Sequence, residues 1–157
     1  MSTTSENTAQ GPCTGLRVLE ISTMMAGPYA GTLLGDLGAD VIKVESHYGD
    51  ESRHLGPKRG TERSAYLSLN RSKRGVVLDL RRDDAQEVFS KLVATSDIVI
   101  TNIREPALSK LKLDYESVKG HREDIIWVGV TAFGKDGPYQ GRPGIDFLIQ
   151  GYAGLLA

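Results

Sequence analysis

Residues 22–45 read "STMMAGPYAGTLLGDLGADVIKVE", and the fold turns on how this stretch is parsed. Just before it, "LRVLEIS" (16–22) is an aliphatic run with the length of a buried strand. Pro28 suits the first turn of a helix, where its missing N–H would have no partner in any case. That helix is expected to turn Leu33, Leu34 and Leu37 inward and to stop at Gly38, a residue suited to a left-handed C-terminal position. "ADVIKVE" (39–45) then reads as a second strand. A strand, a helix and a strand within thirty residues make a parallel β-α-β unit.

The same alternation continues outward. The stretch 46–73 is rich in loop residues and weakly periodic. "GVVLDL" (75–80) reads as a third strand. Asp84 and Glu87 then resemble a capping box, and Ala85, Val88, Phe89, Leu92 and Val93 fall on one helical stripe. "DIVITN" (97–102) is a fourth strand, with short helices expected after Pro106 and near Asp114. "DIIWVGVTAF" (124–133) is a fifth. Four glycines and two prolines in the eleven residues "GKDGPYQGRPG" mark a loop, and a helix beginning in "IDFLIQGYAGLLA" is expected to run on to the last residue. The fold class is therefore α/β, a Rossmann-like, doubly wound, mostly parallel sheet. Such sheets take ligands beyond the carboxyl ends of their strands, near 23–26, 46, 80–81, 102–104 and 132–134 here.

The bulk properties narrow the function. One domain is expected: 1–14 as a flexible leader and 15–157 as the folded part. No apolar run reaches membrane-spanning length, and the start lacks the basic and apolar regions of a secretory signal. The lone Cys13 excludes an internal disulfide and agrees with a reducing, cytoplasmic setting. His47, His54 and His121 are scattered, so no metal site is expected. Between 52 and 82 nine basic residues face only Glu62 and Asp79, an excess that points to a phosphate-bearing partner. Nucleic acid is disfavoured, because the overall charge is −1 and aromatic residues do not interleave with the bases.

The turn after the first strand discriminates among phosphate ligands. A dinucleotide fingerprint needs G-x-G-x-x-G there, whereas this turn is Met24-Met25-Ala26-Gly27-Pro28. One glycine, two bulky thioethers and a residue without an N–H disfavour NAD, and no phosphate loop of the G-x-x-x-x-G-K-[ST] type exists. Methionine suits either a yielding apolar wall for a ligand or core filler beneath the helix.

Four stretches carry a family resemblance: 15–45, "NRSKRGVVLDLRRDD" (70–84), "DIVITNIREPALSKLKLDYESVKG" (97–120) and 130–157. In this order and spacing they resemble the amino-terminal region of class III CoA-transferases of the CaiB/BaiF type. The resemblance implies transfer of coenzyme A between an acyl-CoA and a carboxylic acid. An aspartate carboxylate attacks the thioester to give a mixed anhydride, then an aspartyl-CoA thioester. It also implies two chains interlocked as rings, CoA bound as a substrate rather than a permanent cofactor, and CoA lying along the strand ends. By position, Met25 and Ala26 match the turn beside CoA, and Leu78, Asp79, Leu80 and Arg81 the segment past the nucleotide. Asn102, Ile103, Arg104 and Lys110 match the next strand end and its following helix, and Thr131, Ala132, Phe133 and Gly134 the last loop.

Departures from the pattern bear on binding strength. Ser46 stands where arginine is common, Arg81 replaces a lysine, Ile103 an aromatic residue, Lys110 an arginine, and Ala132 a glycine. The related α-methylacyl-CoA racemases carry an acid/base histidine where this chain has Ile145, which cannot move a proton. The resemblance implies that the catalytic aspartate belongs to a motif beyond the final helix, so no catalytic residue is expected within 1–157; Asp146 is expected to cap that helix or orient the glycine loop. Two readings follow: the amino-terminal part of a transferase, truncated before its nucleophile and completed by a missing half, or a non-catalytic CoA-binding partner subunit.

Overall fold

The computed structural model describes residues 11–156. Five parallel strands form the central sheet: β1 (Arg17–Ile21), β2 (Asp40–Glu45), β5 (Lys73–Val77), β6 (Ile98–Thr101) and β7 (Ile126–Gly129). Their order is β5-β2-β1-β6-β7, with every pair parallel. This is the doubly wound α/β sheet that the sequence implies. A separate hairpin pairs β3 (Lys58–Arg59) with β4 (Glu62–Arg63).

Alternation along the strands sorts side chains to two faces. Leu19, Ile21, Ile42, Val44 and Val99 pack on one face with Phe89 and Val93 of α3 (Asp83–Ala94). Leu108 of α4 (Ala107–Lys110) and Val118 of α5 (Tyr115–Lys119) complete that cluster. The other face carries Val18, Val41, Ile98 and Ile100, against Ala30 and Leu34 of α1 (Ala26–Asp36).

α1 obeys one expectation and departs from another. It ends as expected: Gly38 has φ +101°, and the Ala39 N–H reaches back to the Leu34 carbonyl. Its buried face, however, is Gly27, Pro28, Gly31 and Thr32, while Leu33 and Leu37 are exposed. Small residues face inward because the helix lies directly over polar side chains of the sheet: a Cβ on Gly31 would sit 2.1 Å from the Glu20 carboxylate.

Other boundaries shift for local reasons. The third strand begins two residues before Gly75 and stops at Val77. Lys73 opens it because its ammonium is satisfied inside the protein rather than in water. The stretch 46–73 is not a plain loop; it holds a 3-10 turn (Glu51–His54), the hairpin and α2 (Ser64–Asn70). Arg53 fastens it to β2, forking onto Glu45 and lying 3.6 Å from the Tyr66 ring centroid. On α3 the capping box does not form: Asp84 pairs with Arg82, Glu87 with Lys91, and Val88 is exposed.

At the chain's other end α6 (Asp146–Tyr152) stops at Tyr152 rather than running on, with Gly154 at φ +73° just beyond. Asp146 opens α6, but the capping position is Ile145 and no side chain caps it. Of the expected leader, 1–10 lie outside the described residues. Residues 11–14 form a turn held to α1 by a Cys13 N–H bond to the Leu37 carbonyl.

Candidate functional site

The strand order reverses direction between β1 and β6, since the chain first builds outward through β2 and β5 and then returns. Crevices in such sheets open at that reversal, beyond the carboxyl ends. Here Asn102, following β6, ties the two ends together: its Oδ1 accepts the Thr23 N–H at 3.0 Å and its Nδ2 donates to the Thr23 carbonyl at 2.8 Å.

Two clefts flank this tie. The larger, about 830 Å³, is walled by Ala26, Asn102, Ile103, Arg104, Trp127 and the loop 129–135. Gln140, Gly141, Arg142 and Gly144 cover its outer side. The smaller, about 330 Å³, lies between Thr23, the loop 45–50 and Leu78, Asp79, Leu80 and Arg81. Ile103 lines both, so the clefts adjoin.

Twelve of the fourteen residues singled out from the sequence therefore gather at one edge of the sheet. Two do not line either cleft. Met25 precedes α1 with 64% of its surface exposed, and Lys110 ends α4 on the exterior. The methionines are not core filler either, since Met24 is only half-buried. Asn102 borders the larger cleft, but its amide is committed to the Thr23 backbone.

The basic excess is largely answered within the protein. Arg53 pairs with Glu45, Arg71 with Asp36, Lys73 with Glu20 and Arg74 with Asp40. Arg82 pairs with Asp84, and Arg81 turns its guanidinium edge onto Asp79 at 2.7 and 2.8 Å. That fork lowers the Asp79 carboxyl to about 2. The cations of the larger cleft are differently placed. Arg104 has no carboxylate partner among the described residues. Lys135 lies 4.6 Å from the Trp127 ring centroid and Arg142 4.5 Å from that of Tyr139, both over aromatic faces. Phe133, Tyr139 and Tyr152 form a tilted, edge-to-face aromatic cluster beside them.

Sequence reasoning missed the inner wall of the smaller cleft. Glu45 and Asp50 are buried carboxylates there, and the His47 and Tyr48 rings meet at a 41° tilt with centroids 3.9 Å apart. Burial would raise the Asp50 carboxyl, but hydrogen bonds from Lys43 and Ser52 outweigh it and hold the group below its ordinary value. Glu45 behaves alike: burial is outweighed by Arg53, Tyr66 and the Asp50 N–H. A legible signal was Asp50 two residues before Ser52, a capping pattern for the 3-10 turn that follows.

In a parallel α/β domain, adjoining clefts at the strand-order reversal are where ligands bind. The family model for CoA-transferase family III matches residues 14–157, and the chain belongs to that family. A succinate–glutarate CoA-transferase of Agrobacterium fabrum is 40% identical over 154 residues, covering 93% of this chain and 38% of the relative. The alpha subunit of a succinyl-CoA–L-malate CoA-transferase from Chloroflexus aurantiacus is 35% identical over 158 residues, covering 99% and 37%. Among solved structures, a CaiB/BaiF family protein from Brucella suis superposes with a TM-score of 0.87 at 41% identity, covering 94% of this chain and 40% of that one. The chain thus spans about two fifths of the length of the curated relatives it matches.

Proposed function

We propose that this chain forms the CoA-cradling part of a CoA-transferase that moves coenzyme A between an acyl-CoA and a carboxylic acid. The observation that carries the reading is the convergence of 78–81, 102–104 and 131–134 on two clefts that meet at Ile103. A ligand with a charged nucleotide end and a long, flexible thiol arm suits a pair of adjoining clefts better than one compact pocket.

The division of labour follows from the side chains. Arg104, Lys135 and Arg142 line the larger cleft together with Glu105, Asp114 and Glu116, so its charge is balanced overall, and Arg104, without a carboxylate partner among the described residues, can take a phosphate oxygen. Arg81 can do so only by sharing its guanidinium with Asp79. Phe133 and Ala132 offer apolar and aromatic surface for the thiol arm. CoA transfer itself is assigned to an aspartate outside these 157 residues. Its carboxylate attacks the thioester carbonyl and expels CoA thiolate, which then attacks the aspartyl carbonyl of the mixed anhydride, releasing the donor acid and leaving CoA as the aspartyl thioester. That aspartate would come from the portion of the relatives' length that this chain does not span. We place the protein in a reducing, cytoplasmic setting, which its lone Cys13 suits. In the described residues, no helix is long and apolar enough to cross a membrane.

Calorimetric titration of the chain with CoA tests the proposal. Saturable heat is expected, with Arg104→Ala weakening binding about tenfold, equivalent to about 1.4 kcal/mol, and with affinity falling as salt rises. The absence of saturable heat at millimolar CoA would overturn it.

A further inference from the structure

Two carboxylates and two ammonium groups form a buried row that begins beneath α1 with Glu20 and Lys73 and runs through Lys43 to Asp50 at the wall of the smaller cleft. Glu20 of β1 and Lys43 of β2 are register partners, 2.8 Å apart and almost fully buried. Lys73 of β5 reaches the other Glu20 oxygen at 2.7 Å, and Asp50 closes the row 2.9 Å from Lys43 Nζ. Replacing a buried ionic row by apolar side chains is often neutral or stabilising, so stability alone gives no reason to keep this one.

What the row does is grip the β1–α1 turn by its backbone. Lys43 donates to the Ser22 carbonyl at 2.9 Å, Asp50 accepts the Met24 N–H at 3.1 Å, and Lys73 donates to the Pro28 carbonyl at 2.7 Å. These holds fall before, within and after the turn. The middle one matters most, because Met24 sits at φ +68°, a region that non-glycine residues seldom occupy without support. Thr23, on one side of Met24, lines the smaller cleft, and Ala26, two residues beyond it, lines the larger.

We infer that Asp50, locked in place by Lys43, is a positioning residue for CoA. It holds Met24 in the left-handed conformation and so fixes Thr23 and Ala26 at the passage between the two clefts. The inference rests on the CoA reading of those clefts. Asp50 does not itself do chemistry; its effect runs through the shape of the turn.

The test combines amide hydrogen exchange, read residue by residue by NMR, with CoA calorimetry. In Asp50→Ala the Met24 amide should exchange at least about tenfold faster relative to the Phe89 amide, and CoA affinity should drop about tenfold. Met24→Val leaves the buried row intact but puts a β-branched residue where φ is positive, and it should weaken CoA by a similar factor. Adding Met24→Gly to Asp50→Ala should recover much of the affinity, because glycine needs no support at positive φ. Should Asp50→Ala fail to fold, Met24→Val decides the matter alone. Wild-type-like CoA affinity in Met24→Val, or unchanged Met24 exchange in Asp50→Ala, would overturn the inference. If the unaltered chain takes up no CoA, the functional reading fails first, while the exchange arm still judges whether Asp50 anchors the turn.

Discussion

Gly31→Ala is a one-methyl change whose sign depends on what lies beneath α1. In an exposed helix the swap would stabilise by up to about 1 kcal/mol, since alanine is the better helix former. Here the added Cβ would lie 2.1 Å from Glu20 Oε2 and 3.1 Å from its carboxyl carbon. That carboxylate is fully buried and held by Lys43, Lys73 and the Ser22 hydroxyl, so it has nowhere to swing. Overpacking of a tight interior costs about 1–3 kcal/mol, and prising a buried carboxylate from its cation costs about 3–5 kcal/mol. Set against the propensity gain, the net loss should fall between about 0 and 4 kcal/mol, so Gly31→Ala gains nothing. Gly35→Ala on the same helix is the control. Its Cβ would meet Val41 Cγ2 at 3.4 Å and the Ser72 carbonyl oxygen at 3.5 Å, ordinary contact distances, so the propensity gain should survive. Urea unfolding followed by the fluorescence of the single tryptophan, Trp127, measures both. Equal stability of the two variants would refute the packing of α1 directly onto the Glu20 carboxylate.

Two further outcomes test other parts of the account. Phe89→Ala should cost about 3–5 kcal/mol, because this side chain is 1% exposed at the centre of the larger apolar cluster; a loss under 1 kcal/mol in the same urea assay would contradict that placement. The carboxyls of Asp40, Glu45 and Asp50 are held below their usual values of 3.8, 4.5 and 3.8. Depressed carboxylates stabilise the fold above their unfolded-state values, and that contribution is lost as pH falls through the folded ones. The urea midpoint should thus be level between pH 7 and about 5 and drop below about pH 4, and a profile still flat at pH 3 would refute the ion pairs.

The central strands β1, β2 and β6 were legible because they are short apolar runs spaced by helical periodicity, as parallel strands buried on both faces are. The edge strands β5 and β7 are partly exposed, and the start of β5 at Lys73 was not legible. Gly38 and Pro28 were legible because each has one conformational use at a helix end. The interior of 46–73 was not. Its pieces are two to seven residues long and exist through tertiary partners, above all the Arg53, Glu45 and Tyr66 clamp, which local pattern does not encode. Leu33 and Leu37 misled for a related reason: the surface beneath α1 is mixed, apolar where Ala30 and Leu34 pack but carrying Glu20 and Lys73 beneath Gly31, so the inward stripe takes small residues as well as Leu34 and leaves Leu33 and Leu37 outside. At the site, strand ends were readable from topology. Which cations are free was not, since Arg81 is engaged by an aspartate two residues away while Arg104 is unpaired among the described residues.

The most direct measurement is an NMR titration of the isotope-labelled chain with CoA. Saturable shifts should concentrate on residues 78–81, 102–104 and 131–134, with Asp40 and Asp97 at the opposite ends of their strands unmoved. Shifts spread evenly over the sheet, gathered at its amino edge, or missing at millimolar CoA would contradict a CoA site at the carboxyl ends.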